Sequence, residues 1–307
     1  MNNTLQPAVE SDQWSQWLLQ RRHGGDSAYR QRVVSVVERY RDRVLDGANL
    51  QTGMTLVDVG TGDGLLAFGA IGRVGRSLQV ILTDVSDALL HHTQQLAEER
   101  GVADQCRFLQ GSAEKLENIA NECADVVGLR AVLAYVENKP AAFGEFFRVL
   151  KPGGRLSMAE PVYQDEAFEA CALANLIMTQ PNHSDIVFLK LVHRYRSAQF
   201  PATQAEVLRN PVTNYNERDL FQMARQAGFS NIAVELHIQL KPALRIAWEA
   251  YLDVANHPAA PTLREILATR FSLDEAKQFT QLVRPSVEAG QSEQKELTVY
   301  LTATKPA

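Results

Sequence analysis

Two aspartates and three alternating glycines stand at the ends of successive apolar runs, and their spacing suits nucleotide binding. Asp58 lies two residues before Gly60, the first glycine of the run Gly60, Gly62 and Gly64, and Asp84 ends the next apolar run, twenty residues after Gly64. Glycines let the backbone turn sharply and bring main-chain N–H groups against a ligand. A carboxylate about 20 residues further on can accept both hydroxyls of a ribose. The pattern predicts a nucleotide site in which Asp58 organises the glycine turn and Asp84 binds the ribose.

The elements that must position these residues alternate between strand and helix. Strands are predicted at 54–59, 79–83, 106–109, 124–129 and 154–159, and helices at 64–74, 86–101, 113–120 and 139–150. Alternation with short connections predicts a parallel sheet flanked by helices. Ligands of such sheets bind beyond the carboxyl ends of the strands. The candidate cofactor-binding residues are Asp58, Gly60, Thr61, Gly62, Asp84, Val85, Ser112, Ala113 and Arg130. For Arg130 two roles stay open, contact with the cofactor or pairing with Glu160.

The run acid-x-Gly-x-Gly-x-Gly resembles the first motif of the class I S-adenosylmethionine-dependent methyltransferases. Residues 147–156, Phe-Arg-Val-Leu-Lys-Pro-Gly-Gly-Arg-Leu, resemble the late helix, turn and fifth strand of that superfamily. Gly111-Ser112-Ala113-Glu114 resembles the loop after its third strand, with Ser112 where an aspartate is common. The resemblance covers about residues 50–160, and this part of the chain is similar to the quinone and arsenite methyltransferase-like group. It implies a doubly wound, mostly parallel seven-stranded sheet, S-adenosylmethionine as cofactor and S-adenosylhomocysteine as product.

Two other functions remain open beside methyl transfer. One is an NAD(P)-dependent oxidoreductase on a Rossmann sheet. The glycine motif of those enzymes, however, has its third small residue at the position of Leu65 in this chain, and it contains no acid equivalent to Asp58. The other is a non-catalytic partner that binds S-adenosylmethionine within a larger assembly. Within the methyltransferases, arsenite as substrate is disfavoured, because soft metalloids need thiolates and the three cysteines are scattered.

The chain is longer than a minimal fold of this class, and the additional segments predict four structural parts. They are an N-terminal helical cap at 1–49, a cofactor-binding domain at 50–160 and 215–307, a helical lid at 161–214 and a second helical insertion at 241–292. The lid follows a strand that ends at the cleft, so it is expected to exclude water and to hold the nucleophile in line with the methyl group. The second insertion is expected to complete the substrate pocket or to form a homodimer interface.

Polar residues in the cap and the lid supply the remaining candidates. Tyr163, His183 and His193 are the candidate catalytic residues, since a histidine near neutral pKa can deprotonate an attacking hydroxyl or amine. The stretch Arg21-Arg22-His23 is expected either to bring guanidinium groups to the methionine carboxylate or an anionic substrate, or to be a solvated helix end.

Composition limits the class of partner. The chain has 307 residues, of which 45% are hydrophobic, and a formal net charge of −5. The acidic balance argues against nucleic acid, which needs a basic face. The sequence has no apolar run of membrane-spanning length, no signal-peptide pattern and no metal-ligand spacing among its cysteines. The prediction is a cytoplasmic methyltransferase for a small-molecule acceptor, without metal, nucleic acid or membrane partners.

Overall fold

Apolar runs that are buried on both faces form the central strands of the computed structural model, which describes residues 10–307. The first nine residues of the predicted cap lie outside the described residues. The strands are β1 Thr55–Val59, β2 Gln79–Asp84, β3 Cys106–Gln110, β4 Ala124–Arg130, β5 Leu150–Pro161, β6 Ser230–Pro242 and β7 Glu293–Thr304. The helices are α1 Gln13–Gln16, α2 Ser27–Ala48, α3 Leu65–Val74, α4 Asp87–Glu99, α5 Lys139–Val149, α6 Gln164–Thr179, α7 Ile186–Arg196, α8 Gln204–Val207, α9 Glu217–Gln226, α10 Trp248–Leu252, α11 Leu263–Arg270 and α12 Leu273–Ala289.

The seven strands form one sheet in the order β3-β2-β1-β4-β5-β7-β6. The first five strands are parallel, and β7 runs antiparallel between β5 and β6. The strand order reverses at β1 and β4, so the crevice at the carboxyl end of β1 is the switch point where ligands of doubly wound sheets bind. This topology confirms the predicted fold class.

Helices cover both faces of the sheet. Leu56 and Val57 are successive residues of β1 and both are fully buried, one in the cluster under α2 and α3, the other in the cluster under α5 and α9. Burial on both faces explains the nearly continuous apolar strands. No helix within residues 10–307 is both long and apolar enough to cross a membrane.

The predicted helix at 113–120 is wrong, because this segment forms turns. Its main chain bonds to side chains of α5 in place of a helical ladder. Leu116 N donates to Glu145 Oε2 at 2.6 Å, and Arg148 donates to the carbonyl oxygens of Leu116 and Ile119 at 2.8 and 2.9 Å. These contacts come from a helix about thirty residues further along the chain, so local periodicity did not reveal them.

The N-terminal segment packs on the second insertion. Elements α7, α10, α11 and α12 share a third apolar cluster that includes Leu191, Trp248 and Phe279. Trp17 Nε1 donates to the carbonyl oxygen of Ala255 at 2.8 Å. Gly24 has a φ of +53°, and a Cβ placed there would lie 1.9 Å from the carbonyl oxygen of Ala250. The N-terminal segment and the second insertion therefore pack against each other.

Glu160, near the end of β5, is fully buried and holds the turn that follows β4. Its carboxylate accepts hydrogen bonds from the main-chain N–H groups of Val132 and Leu133, at 3.0 Å each. Burial raises the pKa of Glu160 to about 7, while these N–H groups and the nearby Arg130 act in the opposite direction. The carboxylate thus fixes a one-turn 3₁₀ helix at Leu133–Tyr135.

We expect Gly24→Ala to destabilise the protein more than the matched substitution Gly25→Ala. Both glycines have positive φ, but a Cβ at Gly25 meets no atom within 4 Å. Gly25→Ala should lower the free energy of unfolding by about 1–2 kcal/mol, the cost of the left-handed conformation. Gly24→Ala adds the clash with Ala250 and should cost about 2–5 kcal/mol. Urea unfolding measures both, and equal losses would contradict the packing of this segment.

We expect Glu160→Gln to change the pH dependence of stability. The folded pKa of Glu160 is about 7, against an ordinary value of 4.5, so the folded state binds the proton more tightly than the unfolded chain. The resulting contribution of Glu160 to the free energy of unfolding is complete at low pH and is lost as pH rises to about 7. Between about pH 5 and about pH 8, the free energy of unfolding should therefore fall by about 1–3 kcal/mol more in the wild type than in the variant. Urea unfolding at several pH values measures this difference. The same pH dependence of the free energy of unfolding in both proteins would contradict the raised pKa of Glu160.

Candidate active site

The glycine turn after β1 adopts a backbone that only glycine accommodates easily. Gly60 and Gly62 have φ values of +64° and +58°. A Cβ at Gly60 would lie 2.5 Å from Val132 Cγ2, in the loop after β4. The turn therefore packs closely against the neighbouring loop across the switch point, with its main chain at the carboxyl edge of the sheet.

Asp58 supports this turn from beneath. The side chain is 2% exposed, and its Oδ2 accepts hydrogen bonds from Thr61 Oγ1 at 2.7 Å and from Ala67 N at 3.1 Å. Burial raises the pKa of Asp58 to about 7, and the two hydrogen bonds act in the opposite direction. Asp58 and Thr61 thus connect the strand, the turn and the first turn of α3.

Asp84 faces the same turn from the end of β2. Its Oδ2 accepts a hydrogen bond from Gly62 N and its Oδ1 one from Ser86 N, both at 2.9 Å. A carboxylate offers about four lone-pair sites, so these two bonds leave acceptor capacity on both oxygens. Two adjacent free acceptor positions fit the two hydroxyls of a ribose. Burial raises the pKa of Asp84, and the N–H groups of Ser86 and Gly62 oppose that rise.

The loops after β2 and β3 carry three of the candidate cofactor-binding residues. Val85 is 46% exposed immediately beyond Asp84, which gives an apolar surface at the cleft. The Oγ of Ser112 accepts a hydrogen bond from Glu114 N at 3.2 Å, and Ala113 is buried beside it. Val85, Ser112 and Ala113 therefore lie at the same edge as Asp84.

The N-terminal segment covers the glycine turn. Leu18 Cδ2 lies 3.0 Å from the position of a Cβ on Gly62. The ring of Trp14 packs edge-on against Tyr135, with ring centroids 5.2 Å apart. Tyr135 belongs to the 3₁₀ turn that Glu160 holds. An aromatic wall therefore stands directly beside the turn.

Two guanidinium groups lie near this wall. Burial and the positive charge of Arg130 lower the pKa of Arg22 to about 10, while Asp63 acts in the opposite direction. Among the described residues, no carboxylate oxygen lies within 4.0 Å of the guanidinium of Arg22 or Arg130, whereas Arg21 pairs with Glu265 at 2.7 Å. Two unpaired cations suit an anionic group of a ligand.

The three candidate catalytic residues do not lie together. Tyr163 precedes α6 and faces Tyr135, and burial raises its pKa to about 12. His183 lies in the turn between α6 and α7, where its Nδ1 accepts a hydrogen bond from Asp185 N at 3.1 Å. His193 lies in the last turn of α7. Among residues 10–307, no hydrogen bond, ion pair or ring contact joins either histidine to Tyr163.

Sequence reasoning missed Tyr135 and His257 as site residues. Tyr135 follows β4 by five residues. The expectation that ligands bind beyond the carboxyl ends of the strands, which indicated Arg130, therefore also indicates Tyr135. His257 lies between α10 and α11 with 6% exposure, and its ring centroid is 6.4 Å from that of Tyr135 and 6.0 Å from that of Tyr163. No local motif marks it, because it reaches the cleft only through tertiary packing.

Comparisons with known proteins agree with this geometry. A family model described as a methyltransferase domain matches residues 50–209. The chain is similar to the ubiquinone/menaquinone biosynthesis C-methyltransferase UbiE of Idiomarina loihiensis, at 33% identity over 38% of this chain and 46% of that protein. UbiE of Shewanella pealeana is 28% identical over 61% of this chain and 71% of that protein. The chain spans about half the length of the first curated relatives that it matches.

Solved structures show the same fold at low identity. Phosphoethanolamine N-methyltransferase 2 of Haemonchus contortus has a TM-score of 0.50 at 16% identity, covering 96% of this chain and 56% of that chain. A geranyl diphosphate methyltransferase has a TM-score of 0.51 at 15% identity, covering 92% and 83%. These comparisons do not favour a nicotinamide-dependent oxidoreductase.

The family model spans just over half of the chain, and the glycine turn with Asp84 fits the cofactor of that family. The predicted cofactor, S-adenosylmethionine, is confirmed at the level of the family. The chain belongs to the methyltransferase domain family, the class I S-adenosylmethionine-dependent methyltransferases, as its glycine motif predicts.

Proposed function

We propose that the chain transfers a methyl group from S-adenosylmethionine to an O, N or C nucleophile of a small-molecule acceptor enclosed under helices. The observation that carries this proposal is the aromatic wall of Trp14 and Tyr135 beside the glycine turn. This wall lies beside the switch point of the sheet, and the N-terminal segment that contributes Trp14 covers the glycine turn. Such an enclosed site suits a small acceptor better than a polymer.

Each cofactor-binding residue has a proposed role. Asp84 would accept the ribose hydroxyls, while Asp58 and Thr61 would keep the turn in the conformation that the cofactor needs. Gly60 and Gly62 would allow the cofactor to approach the main chain. Val85, Ser112 and Ala113 would line the adenine. When bound, the cofactor supplies an electrophilic methyl group on a sulfonium.

The residues beyond the turn would orient the acceptor and exclude water. The unpaired guanidinium groups of Arg22 and Arg130 would hold the methionine carboxylate or an anionic group of the acceptor. Tyr163 would contact the acceptor from the start of α6. His183 and His193 stay predictions, and nothing in the contacts described above favours them over Tyr163. A dry, closed site keeps the nucleophile aligned with the methyl group.

The insertions have a proposed place in this scheme. Segment 161–214 would act as a lid, and segment 241–292 would complete the acceptor pocket, with the N-terminal cap 1–49 covering the cofactor from the other side. The printed names of the similar proteins include quinone-biosynthesis and geranyl diphosphate methyltransferases. Both names describe small-molecule metabolism and support a small acceptor, as does the net charge of −5.

Calorimetric titration and a turnover assay test the proposal together. Purified protein should bind S-adenosylhomocysteine saturably and should give no heat with NADH. Transfer of label from methyl-labelled S-adenosylmethionine should then be measured across hydroxyl, amine, thiol and carbon acceptors. Binding of NADH alone would overturn the proposal in favour of an oxidoreductase. Tight cofactor binding without turnover on any acceptor class would favour a non-catalytic partner.

We expect Asp84→Ala to weaken the binding of S-adenosylhomocysteine by about 1–3 kcal/mol, because ribose hydroxyls would be left unpaired in a buried site. Asp87→Ala is the matched control, since Asp87 is exposed three residues further along, in the first turn of α4. Calorimetry measures both affinities, and thermal unfolding checks that each variant is folded. Unchanged affinity in a folded Asp84→Ala variant would remove the ribose assignment.

A further inference from the structure

His257 is a buried polar side chain that the proposed scheme does not yet use. The residue is 6% exposed, and neither ring nitrogen has a hydrogen-bond partner of normal geometry among the described residues, although the main chain of Gln199 faces the ring. Buried polar atoms are almost always paired, and an exception calls for an explanation such as a catalytic role. One ring nitrogen faces the main chain of Gln199, which leaves the other available to a molecule that enters the site.

The surrounding contacts place His257 at the acceptor side of the cleft. Its ring stands near Tyr135 and Tyr163, at centroid distances of 6.4 and 6.0 Å. Tyr135 in turn contacts Trp14, which belongs to the segment covering the glycine turn. The ring of His257 therefore borders the aromatic wall.

The main chain around His257 is fixed by distant parts of the chain. Ala255 N donates to the carbonyl oxygen of Arg21 at 3.0 Å, and Ala260 N donates to that of His257 at 2.9 Å. The N-terminal segment, which covers the cofactor side, thus holds the loop that carries His257. A group whose loop is held by the N-terminal segment can keep a defined orientation toward a bound acceptor.

We infer that His257 is the general base of the reaction and that the acceptor is a hydroxylated aromatic ring placed against Tyr135 and Tyr163. This inference rests on the proposed function. In the step, a nitrogen of His257 takes the hydroxyl proton as the acceptor oxygen bonds to the methyl carbon. The carbon–sulfur bond breaks, its electron pair goes to sulfur, and the product is an aryl methyl ether with S-adenosylhomocysteine. The imidazolium then releases its proton to solvent.

The charges support this assignment. The sulfonium loses one positive charge as the imidazole gains one, so the net charge of the closed site does not change during the step. Burial lowers the pKa of His257 to about 4, with the main chain at Gln199 acting in the opposite direction, so the ring is neutral at pH 7. Tyr135 and Tyr163 face it, and burial raises the pKa of both, so they are neutral too.

Two acceptors that differ in their ionisation test the inference. Catechol keeps its hydroxyl protons at neutral pH, whereas 4-nitrocatechol is largely ionised and needs no base. The wild type should methylate both. We expect His257→Gln to lower kcat for catechol by about 10²–10⁴-fold, the usual contribution of a general base, and to lower kcat for 4-nitrocatechol by less than about 10-fold. His92→Gln, on the polar helix α4, is the control and should change neither rate.

Separate readouts distinguish this inference from the proposed function. Calorimetry with S-adenosylhomocysteine should give the same affinity for wild type and His257→Gln, and thermal unfolding should show both folded. Equal losses of kcat for the two catechols would overturn the base assignment, because a structural defect affects them alike. Methylation of amines, thiols or carbon acceptors but of neither catechol would also overturn it, while leaving the proposed function intact. Failure to bind S-adenosylhomocysteine would instead overturn the proposed function.

Discussion

Two buried carboxylates fix one glycine turn, and the rest of the site depends on that constraint. Asp58 binds Thr61 and the first turn of α3 from beneath, and Asp84 binds Gly62 from the neighbouring strand. The main chain of the turn adopts positive φ values that other residues avoid. Because β1 and β2 are paired in parallel register, both acids reach the same edge of the sheet. The proposed nucleotide site therefore depends on the pairing of β1 with β2 and on these two hydrogen-bond acceptors.

The acceptor side of the site has a different origin. It is assembled from the segment before β1, the turn after β4 and the loop between α10 and α11, which lie far apart in the sequence. Glu160 holds the turn with Tyr135, and the main chain around Ala255 joins the N-terminal segment to the second insertion. Closing this layer brings aromatic rings and unpaired guanidinium groups beside the glycine turn. In the proposed scheme this layer would exclude water, which would strengthen the electrostatic interactions inside the site.

The sequence predicted the fold, the family and its cofactor, whereas the packing around Tyr135 and His257 carried no sequence signal, and the reason is physical. Asp58, Asp84 and the glycines act through local spacing and strand order, which periodicity reveals. The helix expected at 113–120 failed because Glu145 and Arg148 bind its main chain. His257 and Tyr135 meet only after the two ends of the chain have packed, so their spacing carries no signal. For the same reason, His183 and His193 looked as suitable in the sequence as Tyr163.

The central claim is that S-adenosylmethionine lies across the carboxyl ends of β1 and β2, held through its ribose by Asp84. A crystal structure of the protein grown with S-adenosylhomocysteine tests it most directly. We expect both ribose hydroxyls within hydrogen-bond distance of the Asp84 carboxylate, with the sulfur pointing toward Tyr135 and Tyr163. A ribose bound elsewhere, or a cleft without the nucleoside at saturating concentration, would contradict it.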